Sequence, residues 1–169
     1  MGLTTDFVAQ SRRFLVSEYP GKIGRCLAVL PADALWRRDD PTENSVGNLL
    51  LHLSGNVRQW IVSGIGGSPD ARQRSAEFDA RAGDDAATLL SRLRGTLDEA
   101  DTVLATLDAR RLAQRVTIQG RNVTVLDAVY HVVEHFAMHT GQIILLAKRY
   151  APGLVRFYED AGGLATPLF

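Results

Sequence analysis

This 169-residue sequence has one cysteine, no net charge and no long hydrophobic run. With a single cysteine, Cys26, an internal disulfide is excluded and a reducing compartment is favoured. Nineteen basic and nineteen acidic residues give no net charge, and the arginines are scattered, so nucleic-acid binding has no electrostatic footprint. The longest apolar runs, such as residues 143–147, are far shorter than the roughly twenty residues that span a bilayer.

The N-terminal segment also lacks the basic and apolar regions of a signal peptide. We therefore expect a cytoplasmic protein with neither a membrane nor a nucleic acid as its partner. The length and the 46% hydrophobic content predict one globular domain, residues 1–169, with a full core. Cys26 lies at helical spacing from Ile23, Leu27 and Leu30, which indicates a buried packing role.

Apolar residues recur near the 3.6-residue period in four segments, which predicts an all-α four-helix bundle. The predicted helices cover about residues 3–29, 45–63, 84–107 and 125–149. Residues 68–83 are polar and follow a glycine-rich stop, so they predict a long surface crossover between the second and third helices.

Local signals refine these boundaries and the remaining segments. Asp84 or Asp85 is the expected N-cap of the third helix, and Thr124 with Asp127 matches a capping box at the start of the fourth. A short β-hairpin is predicted before the fourth helix, with Gly120 in its turn. The tail, residues 150–169, is too rich in glycine for a long helix, and we expect it to pack on the bundle or on a second subunit.

All four histidines lie in two predicted helices, His52 in the second and the others in the fourth. Spacings of four residues place His131, His135 and His139 in one stripe. Two imidazoles one turn apart can share an ion, but His131 and His139 are separated by roughly 12 Å along the axis. One ion can therefore take either neighbouring pair, and His52, on a core-facing side of its helix, can supply a third ligand. The alternative is a set of ordinary polar residues hydrogen-bonded at a helix seam.

The segment His131-Val-Val-Glu134-His135 also matches the H-x-x-E-H pattern of inverted zinc peptidases. Those enzymes need a further acidic ligand well downstream, and here only Glu159 and Asp160 follow, in the tail. Five-letter patterns are weak evidence, so this hypothesis ranks low.

Two histidine segments carry a family resemblance. The stretch from Ser45 to Leu53, the tryptophan eight residues after His52, and His131-x-x-x-His135-x-x-x-His139-Thr-Gly-Gln resemble the DinB/YfiT superfamily. The resemblance implies a four-helix bundle with a long crossover, often dimeric, that holds zinc or nickel through three histidines. Carried over by position, the metal ligands fall on His52, His135 and His139. If the second and fourth helices run antiparallel, as the resemblance implies, His139 is favoured over His131.

Neighbouring side chains are predicted to support this site. Asn48 and Asn56 flank His52 at one-turn spacing, and Gln142 lies near the stripe, so each is a candidate for orienting a ligand or contacting substrate. His131 has the same two candidate roles, with a seam hydrogen bond as the alternative. Glu134 is expected to be a solvated or ion-paired residue. Arg58 and Trp60 could line the mouth of a cleft, with a core position the alternative for Trp60, and Gly141 could allow close approach of a neighbouring helix.

Three neutral imidazoles leave a divalent ion with an open position, as in catalytic rather than structural zinc sites, although they suit zinc, nickel, copper and iron almost alike. The resemblance adds thiol-dependent chemistry, in which the metal activates a low-molecular-weight thiol such as bacillithiol or mycothiol. We therefore expect a metal-dependent transferase or hydrolase acting on a small molecule. A non-catalytic metal-binding, sensing or stress-related bundle and a structural homodimer without metal remain as alternatives.

Overall fold

Helices dominate the chain in a computed structural model, which describes residues 2–169. The elements, in chain order, are α1 (Leu3–Arg12, the π-helical Arg13–Glu18 and Tyr19–Val29), α2 (Val46–Val57 and the π-helical Arg58–Ser63), α3 (Arg74–Asp79), α4 (Ala86–Leu104), α5 (Ala109–Ala113), β1 (Arg115–Ile118), β2 (Arg121–Thr124), α6 (Val125–Tyr150), β3 (Tyr158–Ala161) and β4 (Leu164–Pro167). The four long helices α1, α2, α4 and α6 form the bundle that the apolar periodicity predicted, and α4 lies inside the predicted range 84–107.

Side-chain caps fix where the long helices begin. Ser45 and Asn48 form a reciprocal capping box at the start of α2, and Asp85 accepts a hydrogen bond from Thr88 N at the start of α4. Thr124 and Asp127 form the predicted capping box at the start of α6. Each cap satisfies amide groups that a helix cannot satisfy internally, so each helix has a defined first residue.

The core lies between the four long helices. Its largest fully buried side chains are Leu15, Ile23, Leu49, Leu50, Leu53, Ile61, Leu89, Leu93, Leu97, Leu104, Phe136 and Ile143. Burying one such side chain stabilises the fold by about 1.5–3 kcal/mol. Cys26 packs among them, and burial raises the pKa of its thiol to about 11, in agreement with the predicted packing role.

The crossover between α2 and α4 differs from the expected polar surface connection. Residues 74–79 form the short helix α3, which packs against α2 and buries Glu77. The predicted long crossover is present and largely exposed, but its short helix and the buried Glu77 were not predicted from the sequence.

Two antiparallel hairpins complete the fold. β1 pairs with β2 before α6, and the predicted turn contains Gln119 and Gly120, both with positive φ (52° and 74°). β3 pairs with β4 in the tail. The tail then returns to the bundle, as expected, because the Phe169 ring packs so closely on Gly21 that an added Cβ would lie 2.8 Å from it. Across residues 2–169, none of the helices combines the length and apolarity needed to cross a membrane.

Candidate metal centre

Three histidine side chains converge between α2 and α6. His135 Nε2 lies 3.1 Å from both His52 Nε2 and His139 Nε2, and one ligand atom of each residue lies within 4.8 Å of the other two. His52 and His139 are 4% and 8% exposed, and His135 is half-buried. A tetrahedral ion with metal–nitrogen bonds of about 2.0–2.1 Å holds its ligand nitrogens about 3.3 Å apart. The two 3.1 Å separations are therefore close to the spacing that a shared divalent ion imposes.

The register of the two helices selects these three residues. His52 contacts His135 and His139. Trp60, eight residues after His52 on α2, packs at a tilted angle against His131, eight residues before His139 on α6, with ring centroids 4.3 Å apart. A later residue of α2 thus contacts an earlier residue of α6, so the two helices run antiparallel. His131 consequently lies beside Trp60, outside the convergence point of the three Nε2 atoms.

Hydrogen bonds on the far side of two rings determine where their protons lie. His52 Nδ1 is 2.9 Å from Glu77 Oε2, and because a carboxylate only accepts, His52 Nδ1 donates. Arg72 Nη2 is also 3.1 Å from this nitrogen, but it donates to Glu77 Oε2 at 2.8 Å. The tautomer that this hydrogen bond selects has its proton on Nδ1 and an Nε2 lone pair directed at the cluster.

His139 follows the same rule. Its Nδ1 donates to Gln142 Oε1 at 2.7 Å, which again leaves an Nε2 lone pair pointing inward. His135 Nδ1 is buried and has no hydrogen-bond partner among the described residues. His135 Nε2 can donate a proton to only one of the two neighbouring Nε2 atoms. At least one of the lone pairs that point into the cluster therefore has no proton to accept. A cation at the convergence point satisfies them, and the donor set is one that zinc and nickel accept.

The electrostatic environment favours the neutral form of the His135 and His139 rings. Burial, followed by repulsion from His139 and His52, lowers the pKa of His135 to about 3. Burial also lowers the pKa of His139, although the hydrogen bond with Gln142 opposes the shift. Metal ligation requires deprotonated imidazole nitrogens, so both rings are ready to bind a metal at neutral pH.

Glu77 and Arg72 are the site residues that the sequence did not reveal. Arg72 donates two hydrogen bonds to the Glu77 carboxylate, from Nε to Oε1 at 2.7 Å and from Nη2 to Oε2 at 2.8 Å. Burial alone would raise the pKa of Glu77, but the hydrogen bonds from Arg72 and His52 outweigh it and hold the pKa low. Neither residue belongs to an apolar periodic pattern, so nothing in the sequence of the crossover distinguishes them from solvated charges.

Gly55 on α2 makes room for this ion pair. A Cβ added at Gly55 would collide with Glu77 Oε1 and lie 2.9 Å from Arg72 Nε. The His52 ring also packs against Phe78, the neighbour of Glu77, with ring centroids 4.5 Å apart. One edge of the centre is therefore built by the crossover rather than by the four long helices.

The other side chains predicted near the site have varied positions. Gln142 contacts a cluster histidine directly, whereas the Asn48 amide donates to the carbonyl oxygens of Glu77 and Ala80 and so anchors α3 instead of holding a ring. Asn56 is buried, and its Oδ1 has no partner within residues 2–169. His131 is half-buried against Trp60, which is itself a core residue.

The expectation for Gly141 was wrong, whereas Arg58 lines a cleft as expected. Gly141 faces open space, with nothing within 4 Å of an added Cβ, so it does not admit a neighbouring helix of the same chain. Arg58 pairs with Glu99 and lines a cleft of about 710 Å³ between α2, α4 and the crossover, beside Arg72 and Glu77. The peptidase pattern fails because it needs His131 and Glu134 at the metal, and Glu134 is exposed as expected.

The fold of this helical bundle is that of a solved DinB-like protein. The crystal structure of a DinB-like protein, YjoA from Bacillus subtilis, matches with a TM-score of 0.65 and 16% sequence identity, over 89% of this chain and 98% of that one. A model of the family described as "Protein of unknown function (DUF1572)" matches residues 3–153, and the chain belongs to that family. A sequence comparison with curated proteins finds no match.

Proposed function

We propose that this protein binds one divalent metal ion, zinc or nickel, through His52, His135 and His139. The observation that carries the proposal is the convergence of three Nε2 atoms, with the His52 and His139 rings oriented by acceptors on their Nδ1 sides. Glu77 and Gln142 hold the His52 and His139 tautomers that direct lone pairs inward, and the low pKa of His135 keeps the third ring neutral.

We further propose that the protein is a cytoplasmic metal-dependent transferase or hydrolase that acts on a small molecule, with a low-molecular-weight thiol as cosubstrate in the transferase case. Three neutral ligands leave a bound ion its full charge and an open position, where it can lower the pKa of a thiol or water. His131, with its ring half-buried 5.5 Å from that of His135, is placed to contact a substrate there.

Metal content tests the binding proposal. Protein purified without a histidine tag is analysed for bound metals together with His52→Ala, His139→Ala and the matched control His131→Ala. We expect about one equivalent in the wild type and the control, and a loss of most of it in the other two variants. Near-stoichiometric metal retained in both His52→Ala and His139→Ala would overturn the proposed ligand set.

Thiol transfer is tested with the zinc-loaded or nickel-loaded protein, cysteine as the thiol and 1-chloro-2,4-dinitrobenzene as a chromogenic electrophile. Metal-dependent thioether formation that is lost in His52→Ala would support a transferase. Hydrolysis is followed separately with p-nitrophenyl acetate. Stoichiometric metal without turnover in either assay would favour the alternative, a non-catalytic metal-binding or stress-related bundle.

A homodimer is the proposed oligomeric state. One face of α6 exposes Tyr130, Met138 and Leu145, each more than half exposed, and Gly141 leaves open space between them. A single helix face of this kind can pack against its own copy across a two-fold axis. The same face would serve a structural homodimer without metal, so metal content separates these two alternatives.

A further inference from the structure

We propose that Glu77, held by Arg72, is a positioning residue for the ligand His52, so that the crossover between α2 and α4 forms part of the metal centre. This inference rests on the proposed metal binding at His52, His135 and His139. It assigns a role to a segment that contributes no ligand itself.

The Glu77 carboxylate accepts hydrogen bonds from both His52 and Arg72. Glu77 Oε2 accepts from His52 Nδ1 at 2.9 Å, and Arg72 donates to both oxygens of the same carboxylate. A carboxylate on Nδ1 selects the tautomer with a free Nε2, fixes the ring plane and increases the basicity of the ligating nitrogen. Each of these effects favours a metal ion at Nε2.

The burial of the pair argues against an incidental ion pair. The side chains of Arg72 and Glu77 are only 5% and 11% exposed, and burying two charges carries a desolvation penalty that their attraction must offset. Exposed pairs such as Arg58 with Glu99 carry no such cost. In metal centres, the ring nitrogen that does not bind the metal typically donates to a carboxylate, and that carboxylate orients the histidine ligand.

Two other residues of α2 also hold Glu77 in position. Asn48 donates to the Glu77 carbonyl at 2.8 Å, which ties α3 to the first turn of α2. Gly55 removes the side chain that would displace the carboxylate. Glu77 is therefore approached by three residues of α2: Asn48, His52 and Gly55.

Zinc affinity, measured by competition with a chromophoric chelator, tests this role. Glu77→Gln keeps the size and one acceptor oxygen but removes the charge, and we expect a tenfold to hundredfold weaker affinity. The matched control Glu99→Gln neutralises the exposed pair with Arg58 and should leave the zinc affinity unchanged. Arg72→Lys, which keeps the charge but loses the two-pronged grip, should give a smaller loss and serves if Glu77→Gln fails to fold.

A second readout separates positioning from general stability. In the zinc-loaded wild type, imidazole ¹⁵N NMR should show His52 with a protonated Nδ1 and a metal-bound Nε2, and the Nδ1–H signal should move upfield in Glu77→Gln. Wild-type protein that binds neither zinc nor nickel would refute the metal proposal itself. Wild-type protein that binds zinc with the same affinity and the same His52 signal as Glu77→Gln would refute the positioning role alone.

Discussion

Gly55 is the place where one methyl group should disturb the metal centre without touching a ligand. In Gly55→Ala the added Cβ collides with the Glu77 carboxylate and crowds Arg72 Nε at 2.9 Å. Overpacking of this kind costs about 1–3 kcal/mol, and weakening a hydrogen bond to a buried charge costs about 1.5–3 kcal/mol. Alanine regains about 1 kcal/mol over glycine within a helix. We therefore expect the free energy of unfolding to fall by about 1.5–5 kcal/mol.

Gly95→Ala is the matched control because Gly95 also lies within a helix, α4, but has nothing within 4 Å of an added Cβ. This variant should gain up to about 1 kcal/mol. Urea unfolding of the metal-free proteins, followed by far-UV circular dichroism, measures both changes, and zinc competition should show weaker binding in Gly55→Ala only. Equal stability and equal zinc affinity in the two variants would refute the claimed close approach.

Three further outcomes follow from the structure. Because the pKa of His135 is about 3 in the fold and 6.5 when unfolded, the unfolded state binds more protons between these values. The urea midpoint of the metal-free protein should therefore fall as the pH is lowered from about 6.5, and an unchanged midpoint at pH 5 would contradict this. Cys26, buried with its pKa raised to about 11, should react with dithionitrobenzoate only on unfolding, and rapid labelling of the native protein would contradict its burial. Leu145→Glu places a charge on the exposed face of α6 and should convert the proposed dimer to monomer in sedimentation analysis, whereas an intact dimer would exclude that face.

The sequence was most informative where the determinants are local. Periodic apolar residues located the four long helices, and the Thr124 and Asp127 pair located the start of α6. The Gly120 turn was also readable, because a hairpin with positive φ needs residues that tolerate it. Each of these features depends on residues within a few positions of one another.

The crossover was not readable for the opposite reason. Arg72 and Glu77 are charged residues in a polar stretch, and their burial depends on contacts with Gly55 and His52, which lie far away in the sequence. Their sequence shows no period that separates a buried ion pair from a solvated one. Only the fold shows that this segment covers the centre.

The choice between His131 and His139 shows how local and tertiary information combine. Helical rise alone allows an ion on either neighbouring pair of the α6 stripe, because the stripe is symmetric about His135. The direction of α2 removes that symmetry: the Trp60 end of α2 faces His131, and the His52 end faces His139. Antiparallel packing thus places an indole against one histidine and an imidazole against the other. Because only an imidazole can supply a further metal ligand, the orientation of one helix determines which of two equivalent pairs completes the centre.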